Sequence, residues 1–323
     1  IHFNYNKLLE DGTPDTNWNT AIANEAFRKT LYHGWDISEY YTRINAVTPM
    51  VCENNFYTME GLVYTSDGTE YTQLVKEELG LKDSDGVTPA RVDADLAEQY
   101  KQQAIEELTA LGVTFPVEMD YYIAAANQVS LDSANVLAQS ISNSLGDDFM
   151  KLNIKTYVSS STQEVLNPHL QSITMNGWGA DYGDPVNFVG QEILHDDNAY
   201  YSWYYSNIAK IVEAGPADWQ KDLVACYEEF TDLVNTAKAI VDDTDARYAA
   251  FAKAEASMLN SVLACPCNFD VSWTLTHANE YSKINAMYGP CNYKAVNWET
   301  SEEAYTTEQY EEFAAAFDAA TKA

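Results

Sequence analysis

A chain of 323 residues, 46% of them hydrophobic, is long enough for one large domain or two ordinary ones and can bury a real core. Its 49 acidic and 18 basic residues give a formal charge of -31, which repels the phosphate backbone of nucleic acids and the anionic face of a membrane, so no nucleic-acid partner is expected. No stretch reaches the ~20 apolar residues of a membrane span, and no basic-then-apolar signal segment stands at the start.

The chain opens with Ile1, Phe3 and Tyr5 alternating with His2 and Asn4, the pattern of a half-buried strand that begins without lead-in, as if cut from a larger protein. A helix is expected over residues 21–41, with Phe27, Leu31 and Trp35 on its apolar face. Residues 48–64 read as irregular, 71–79 as a helix, and 93–111 as a long helix stopped by Gly112. Strand (115–124), helix (132–145, ending at Gly146) and strand (150–158) then follow, which implies a parallel pair in an α/β sheet. A helix near 161–170 leads to a short apolar strand at 173–175 that runs into a loop with three glycines and a proline, residues 176–185. Helices are expected near 217–241 and from a Thr244 cap to Leu259, a strand at 264–273, and a last amphipathic helix over 307–320 with Glu308 and Glu311 in its first turn. No repeat or low-complexity linker separates these pieces, so the pattern is one α/β domain with a C-terminal appendage.

The loop Trp178–Pro185 combines a large aromatic, two carboxylates and flexible backbone at the carboxyl end of a strand, where open α/β sheets bind ligands. An Asp fixes an ammonium group by a charge-assisted hydrogen bond, and an indole face adds packing or a cation–π contact. The plainer possibility is that Trp178 is core and the aspartates satisfy turn amides. Asp181 and Asp184 could also be the acid and base of a glycosidase, but nothing else in the sequence marks a catalytic centre. Residues 82–86 resemble the middle of an EF-hand, yet the first and twelfth ligand positions fall on Leu81 and Val92, so the calcium loop fails. The five cysteines (52, 226, 265, 267, 291) are odd in number, lack zinc or redox spacing, and read mostly as small buried residues. No metal or cofactor is expected. No GxSxG elbow, P-loop or HExxH is present. Tyr200, Tyr201, Trp203, Tyr204 and Tyr205 cluster after the loop and are read as core in preference to a cleft lining.

Gly177-Trp178-Gly179-Ala180-Asp181-Tyr182-Gly183-Asp184-Pro185, followed by Asn187-Phe188, resembles the signature loop of family 5 extracellular solute-binding proteins, the oligopeptide- and dipeptide-binding components of ABC importers. Two weaker segments agree in order: Asn4, then Asn24 to Leu31 and on to Asp36; and Ala246-Arg247-Tyr248 through Ala254-Glu255 to Leu259. The chain departs from the pattern at Ile37, where the family usually has Arg, and in longer segments at 65–95 and after His195. The resemblance covers roughly residues 1–290. It implies a periplasmic-binding-protein-like (type II) α/β lobe with a mixed sheet flanked by helices, the C-terminal one of two. Residues 291–323 would be an appendage, and the N-terminal lobe that closes over the ligand would be absent from this chain.

The resemblance assigns Asp181 to a peptide's α-ammonium group and Trp178 to a pocket wall, with Tyr182 and Asp184 in the same motif and no catalytic residue. The expected protein is extracytoplasmic, at the cell surface or in the periplasm, anchored to the membrane through its missing N-terminus. Its partners are a small peptide or similar solute and the ABC permease subunits. The alternatives are a secreted glycan hydrolase using the Asp pair and a non-catalytic surface adhesion module.

Overall fold

The computed structural model describes residues 1–81, 91–269, 277–283 and 298–321. The chain opens with β1 (His2–Phe3), and all five residues from Ile1 to Tyr5 are buried. The alternation here predicts one wet face, but β1, the end strand of the sheet, is covered on both sides, by the strand at residues 173–174 and by a bridge from His2 to Ala264. Its polar residues tolerate burial because they are paired. Asn4 donates to the carbonyls of His169 and Gln171 at 3.2 and 2.8 Å and accepts from the Asn207 side chain at 2.9 Å.

The single helix expected over 21–41 is three. In α1 (Thr16–Ala23) the Asp15 carboxylate caps the Trp18 N–H, and the helix ends at Asn24. The Asn24 side chain caps the Phe27 N–H and so starts α2 (Glu25–Gly34), which stops in extended backbone at Trp35 before α3 (Ser38–Ile44). One residue serving as C-cap and N-cap breaks the run without proline or glycine. Phe27, Leu31 and Trp35 are nonetheless all in the core. Next come α4 (Tyr71–Leu79) and α5 (Ala94–Ala110), the latter capped by Asp93 and closed before Gly112 at φ 84°.

β2 (Val117–Ala124), α6 (Gln128–Leu145) and β3 (Met150–Tyr157) form the expected unit, the strands parallel from Val117 opposite Met150 to Ala124 opposite Tyr157. Asn127 caps α6, which therefore starts four residues ahead of the expected Asp132. Gly34 sits where α2, α5 and α6 converge: a Cβ there would lie 2.5 Å from Leu145 Cδ2 and 3.1 Å from Ala97 Cβ. The helix expected at 161–170 is a single π-helical turn over Thr162–Leu166. It leads to β4 (Ile173–Thr174), parallel to β2 and antiparallel to β1, so the sheet order is β1-β4-β2-β3.

After the 176–185 loop come three short helices, α7 (Val186–Val189), α8 (Tyr200–Tyr204) and α9 (Ile208–Ala214). The long pair α10 (Lys221–Lys238) and α11 (Thr244–Asn260) packs side by side. Asp243, not Thr244, caps α11 by accepting from the Ala246 N–H. The chain then returns to β1, where Ile1 and Cys265 exchange backbone hydrogen bonds of 2.7 and 2.9 Å. Of the strand expected at 264–273, the described part forms isolated bridges at Ala264 and Asn268.

In α12 (Thr307–Thr321), Tyr310 and Phe317 pack against Tyr281 with ring centroids 5.1 and 5.5 Å apart. The EF-hand-like turn at 82–86, Cys291 and the boundary at 290/291 lie outside the described residues. Cys52, Cys265 and Cys267 are buried, and Cys226 is half-buried. Among the described residues, one core cluster runs from Ile1 to Cys267, and no helix is long and apolar enough to cross a membrane.

Candidate functional site

Because β1 is antiparallel to β4, the start of β1 and the end of β4 meet at one edge of the sheet. A cleft of about 720 Å³ opens there, within the range of small-molecule sites, roughly 300–1,000 Å³. One wall is the chain leaving β4, from Met175 to Gly179. The others are His2 with Tyr201, the segment from Asn54 to Met59, and Cys265–Phe269. Among the described residues none of the lining side chains is Lys, Arg, Asp or Glu.

The 176–185 loop is set by two residues. Asn187 is buried, and its side-chain oxygen accepts from both Trp178 Nε1 at 2.9 Å and the Asp181 N–H at 3.0 Å. That clamp turns the indole into the cleft wall, where it meets Tyr201 edge-on at 5.9 Å. Arg247 of α11 holds the other end of the loop. Its Nε and Nη2 donate to the two oxygens of Asp184 at 2.8 and 3.2 Å, and Nη1 donates to the carbonyls of Ala237, Lys238 and Ile240 at the end of α10. The Val186 N–H adds a bond to Asp184 at 3.0 Å.

The four residues singled out from the sequence therefore separate. Trp178 lines the cleft. Asp184 is half-buried and turned inward, with both oxygens committed to Arg247, so it does not present a carboxylate to a ligand or to a glycosidic bond. Asp181 and Tyr182 are exposed on the outer turn and outside the cleft lining, and their side chains make no hydrogen bond or ion pair among the described residues. Asp181 is three positions along the chain from Trp178, at most about 11 Å of extended reach.

Several residues of the site were not foreseen. His2 and Glu192 form a buried pair, Nδ1 to Oε1 at 2.7 Å, with the Tyr57 hydroxyl donating to the same oxygen at 3.3 Å. Burial pulls the His2 imidazole below its ordinary value, a shift the Glu192 carboxylate opposes. The imidazole packs against Tyr201 at 4.3 Å, so the cleft floor is a histidine braced by a carboxylate and a tyrosine. Behind it, the buried carboxylate of Glu255 accepts from the N–H groups of Tyr57 and Thr58 at 2.8 and 3.1 Å, from Thr58 Oγ1 at 2.6 Å and from the Tyr71 hydroxyl at 3.1 Å. Burial pushes that carboxyl up, against the pull of its donors. These bonds fix an otherwise irregular wall to α11.

The aromatic cluster expected to be core is divided. Tyr201 and Tyr205 are buried beside the cleft, whereas Tyr200 and Tyr204 are stacked at 4.7 Å with their rings in solvent.

No family model matches the chain. Over 268 residues it is 27% identical to the oligopeptide-binding protein SarA of Streptococcus gordonii, which covers 76% of this chain and 38% of that protein. Among solved structures, the peptide-binding protein of a peptide ABC transporter superposes with a TM-score of 0.57 at 18% identity, over 82% of this chain and 97% of that one. The chain has the fold of a peptide-binding protein. OppA of Listeria monocytogenes, solved bound to peptide, matches with a TM-score of 0.55 at 18% identity, over 83% of this chain and 42% of its own. The periplasmic-binding-protein-like lobe expected from the signature loop is thus the observed fold. The chain spans about two fifths of the length of the curated peptide-binding proteins it matches.

Proposed function

We propose that the chain is the C-terminal lobe, roughly residues 1–290 with a 291–323 appendage, of an extracytoplasmic solute-binding protein that captures small peptides and passes them to the permease subunits of an ABC importer. The carrying observation is the loop after β4. It supplies an aromatic wall to a cleft of about 720 Å³ and holds, three residues further on, the carboxylate of Asp181, unpaired among the described residues. An unpaired carboxylate suits a peptide's ammonium group, and a wall of aromatic and apolar side chains suits its other residues. The similarity to oligopeptide-binding proteins supports the same reading.

In this proposal Asp181 pairs with the ammonium group, Trp178 packs against the first residues of the peptide, and Tyr182 faces a second lobe that closes over the ligand about a hinge. Asp184 has a different part, holding the loop to α11. The N-terminus of the whole protein would carry its membrane anchor. A glycan hydrolase built on Asp181 and Asp184 is disfavoured because Arg247 occupies the second carboxylate.

The test is thermal unfolding of the full-length, two-lobed protein with two- to five-residue peptides, with the same peptides N-acetylated, and with an Asp181→Ala variant. Peptide at a hundred times its dissociation constant adds about 2.7 kcal/mol, a shift of several degrees. The shift is expected to vanish on acetylation and in the variant. No shift with any peptide overturns the reading.

A further inference from the structure

The tyrosines beyond the loop form a continuous track out of the cleft. Trp178 meets Tyr201 at 5.9 Å, Tyr201 stacks on Tyr205 at 4.9 Å, Tyr205 meets Tyr200 edge-on at 5.5 Å, and Tyr200 stacks on Tyr204 at 4.7 Å. The inner two are tied to the loop: the Tyr201 hydroxyl donates to the Gly177 carbonyl at 3.2 Å, and the Tyr205 hydroxyl accepts from the Asn176 amide at 2.9 Å. The outer two reach solvent, with Tyr200 38% and Tyr204 42% exposed. A stack of tyrosines left half in water, continuous with rings that line a ligand cleft, calls for an occupant that rewards aromatic faces.

Charge selects among occupants. The chain carries -31, and among the described residues no Lys or Arg lines the cleft. Asp181, on the loop, and Asp197, three residues ahead of Tyr200, have carboxylates with no hydrogen bond or ion pair among the described residues. The basic side chains bonded to this region, Arg247 and Lys238, are engaged by Asp184 and Asp196. A cation is therefore attracted and not displaced by a resident one, whereas an acidic side chain is repelled. Tyrosine faces hold ammonium and guanidinium groups through the ring quadrupole.

We propose that the Tyr200–Tyr204 stack is a subsite for a Lys or Arg side chain of the bound peptide, so that the protein favours cationic peptides. This inference rests on the peptide reading and adds a preference within it. The alkyl stem of the side chain extends from the cleft past the half-buried Trp178, and its charged head lies over the exposed outer pair.

The test walks a single lysine through each position of an alanine pentapeptide, with norleucine, which keeps the alkyl stem without the charge, at the same positions. Binding to the two-lobed protein is measured by calorimetry, and a common free N-terminus cancels the contribution of Asp181. At one position lysine is expected to bind roughly 2- to 30-fold more tightly than norleucine. That advantage is expected to survive in the Tyr200→Phe/Tyr204→Phe protein and to disappear in Tyr200→Leu/Tyr204→Leu, while norleucine affinities change little.

If all peptides bind but no position distinguishes lysine from norleucine, the subsite is overturned and the peptide reading stands. If the advantage persists in the leucine variant, the cation is read elsewhere and the subsite is overturned. If no peptide binds the wild-type protein, both readings fall together.

Discussion

The two ends of the 176–185 loop, only a few residues apart, are built on opposite terms. A Cβ added at Gly177 or Gly179 would meet nothing within 4 Å, and Asp181 and Tyr182 are exposed. From Asp184 onward the loop is tied down: the carboxylate bonds Arg247, the Val186 N–H bonds Asp184, and the Asn187 side-chain oxygen accepts from Trp178 and Asp181. The same acidic residue type thus serves as an anchor at one position and is left available at another. A binding loop needs both, because a free carboxylate on a wandering loop loses to entropy what it gains in attraction.

The largest effect expected is at the anchor. Arg247→Ala removes a bidentate partner from a half-buried carboxylate and three bonds from the end of α10. Urea unfolding should show a loss of about 2–3 kcal/mol. A loss below ~1 kcal/mol would mean that the ion pair does not hold the loop.

Asp181→Asn is expected to invert that pattern. Its unfolding free energy should stay within about 0.5 kcal/mol of wild type, while affinity for a free-amine peptide drops roughly tenfold or more. Equal affinities would break the contrast at its open end.

Asp184→Asn keeps the shape but weakens the pair. It should cost about 1–2 kcal/mol of stability and less than threefold in peptide affinity at saturating folded fraction, and a selective loss of affinity would return Asp184 to the ligand. The smallest change is Gly179→Ala, whose new Cβ meets nothing within 4 Å. Stability within about 0.5 kcal/mol is expected in the same urea titration, and a larger drop would show that the open half is constrained after all.

Much of the fold was legible because it follows local rules. The parallel unit of β2, α6 and β3 showed in its alternation and in Gly146, and α5 in its Asp93 and Gly112 boundaries. What stayed hidden depends on who meets whom. Nothing local says that Asn24 ends one helix and begins the next, since the apolar spacing runs through it. The alternation of Ile1 to Tyr5 suggests a wet face, and only the partners of Asn4 and His2, more than 160 residues away, explain why both faces are dry.

The site was legible to the level of its loop. Asp181 and Asp184 look equivalent in the motif, and only the arrival of Arg247, 63 residues on, tells them apart. The pairing of His2 with Glu192 spans 190 residues and leaves no mark in the sequence around either.

The closure of β1 against Cys265 has a consequence in time. Ile1, at the start of β1, is made well before its hydrogen-bonded neighbour Cys265, which lies 264 positions later. At about 5–20 residues per second, ribosomal synthesis leaves Ile1, Phe3 and Tyr5 waiting roughly 13–50 s for that edge to exist. Through that interval the apolar residues beside the cleft floor lack the edge that covers them and are available to whatever escorts the growing chain.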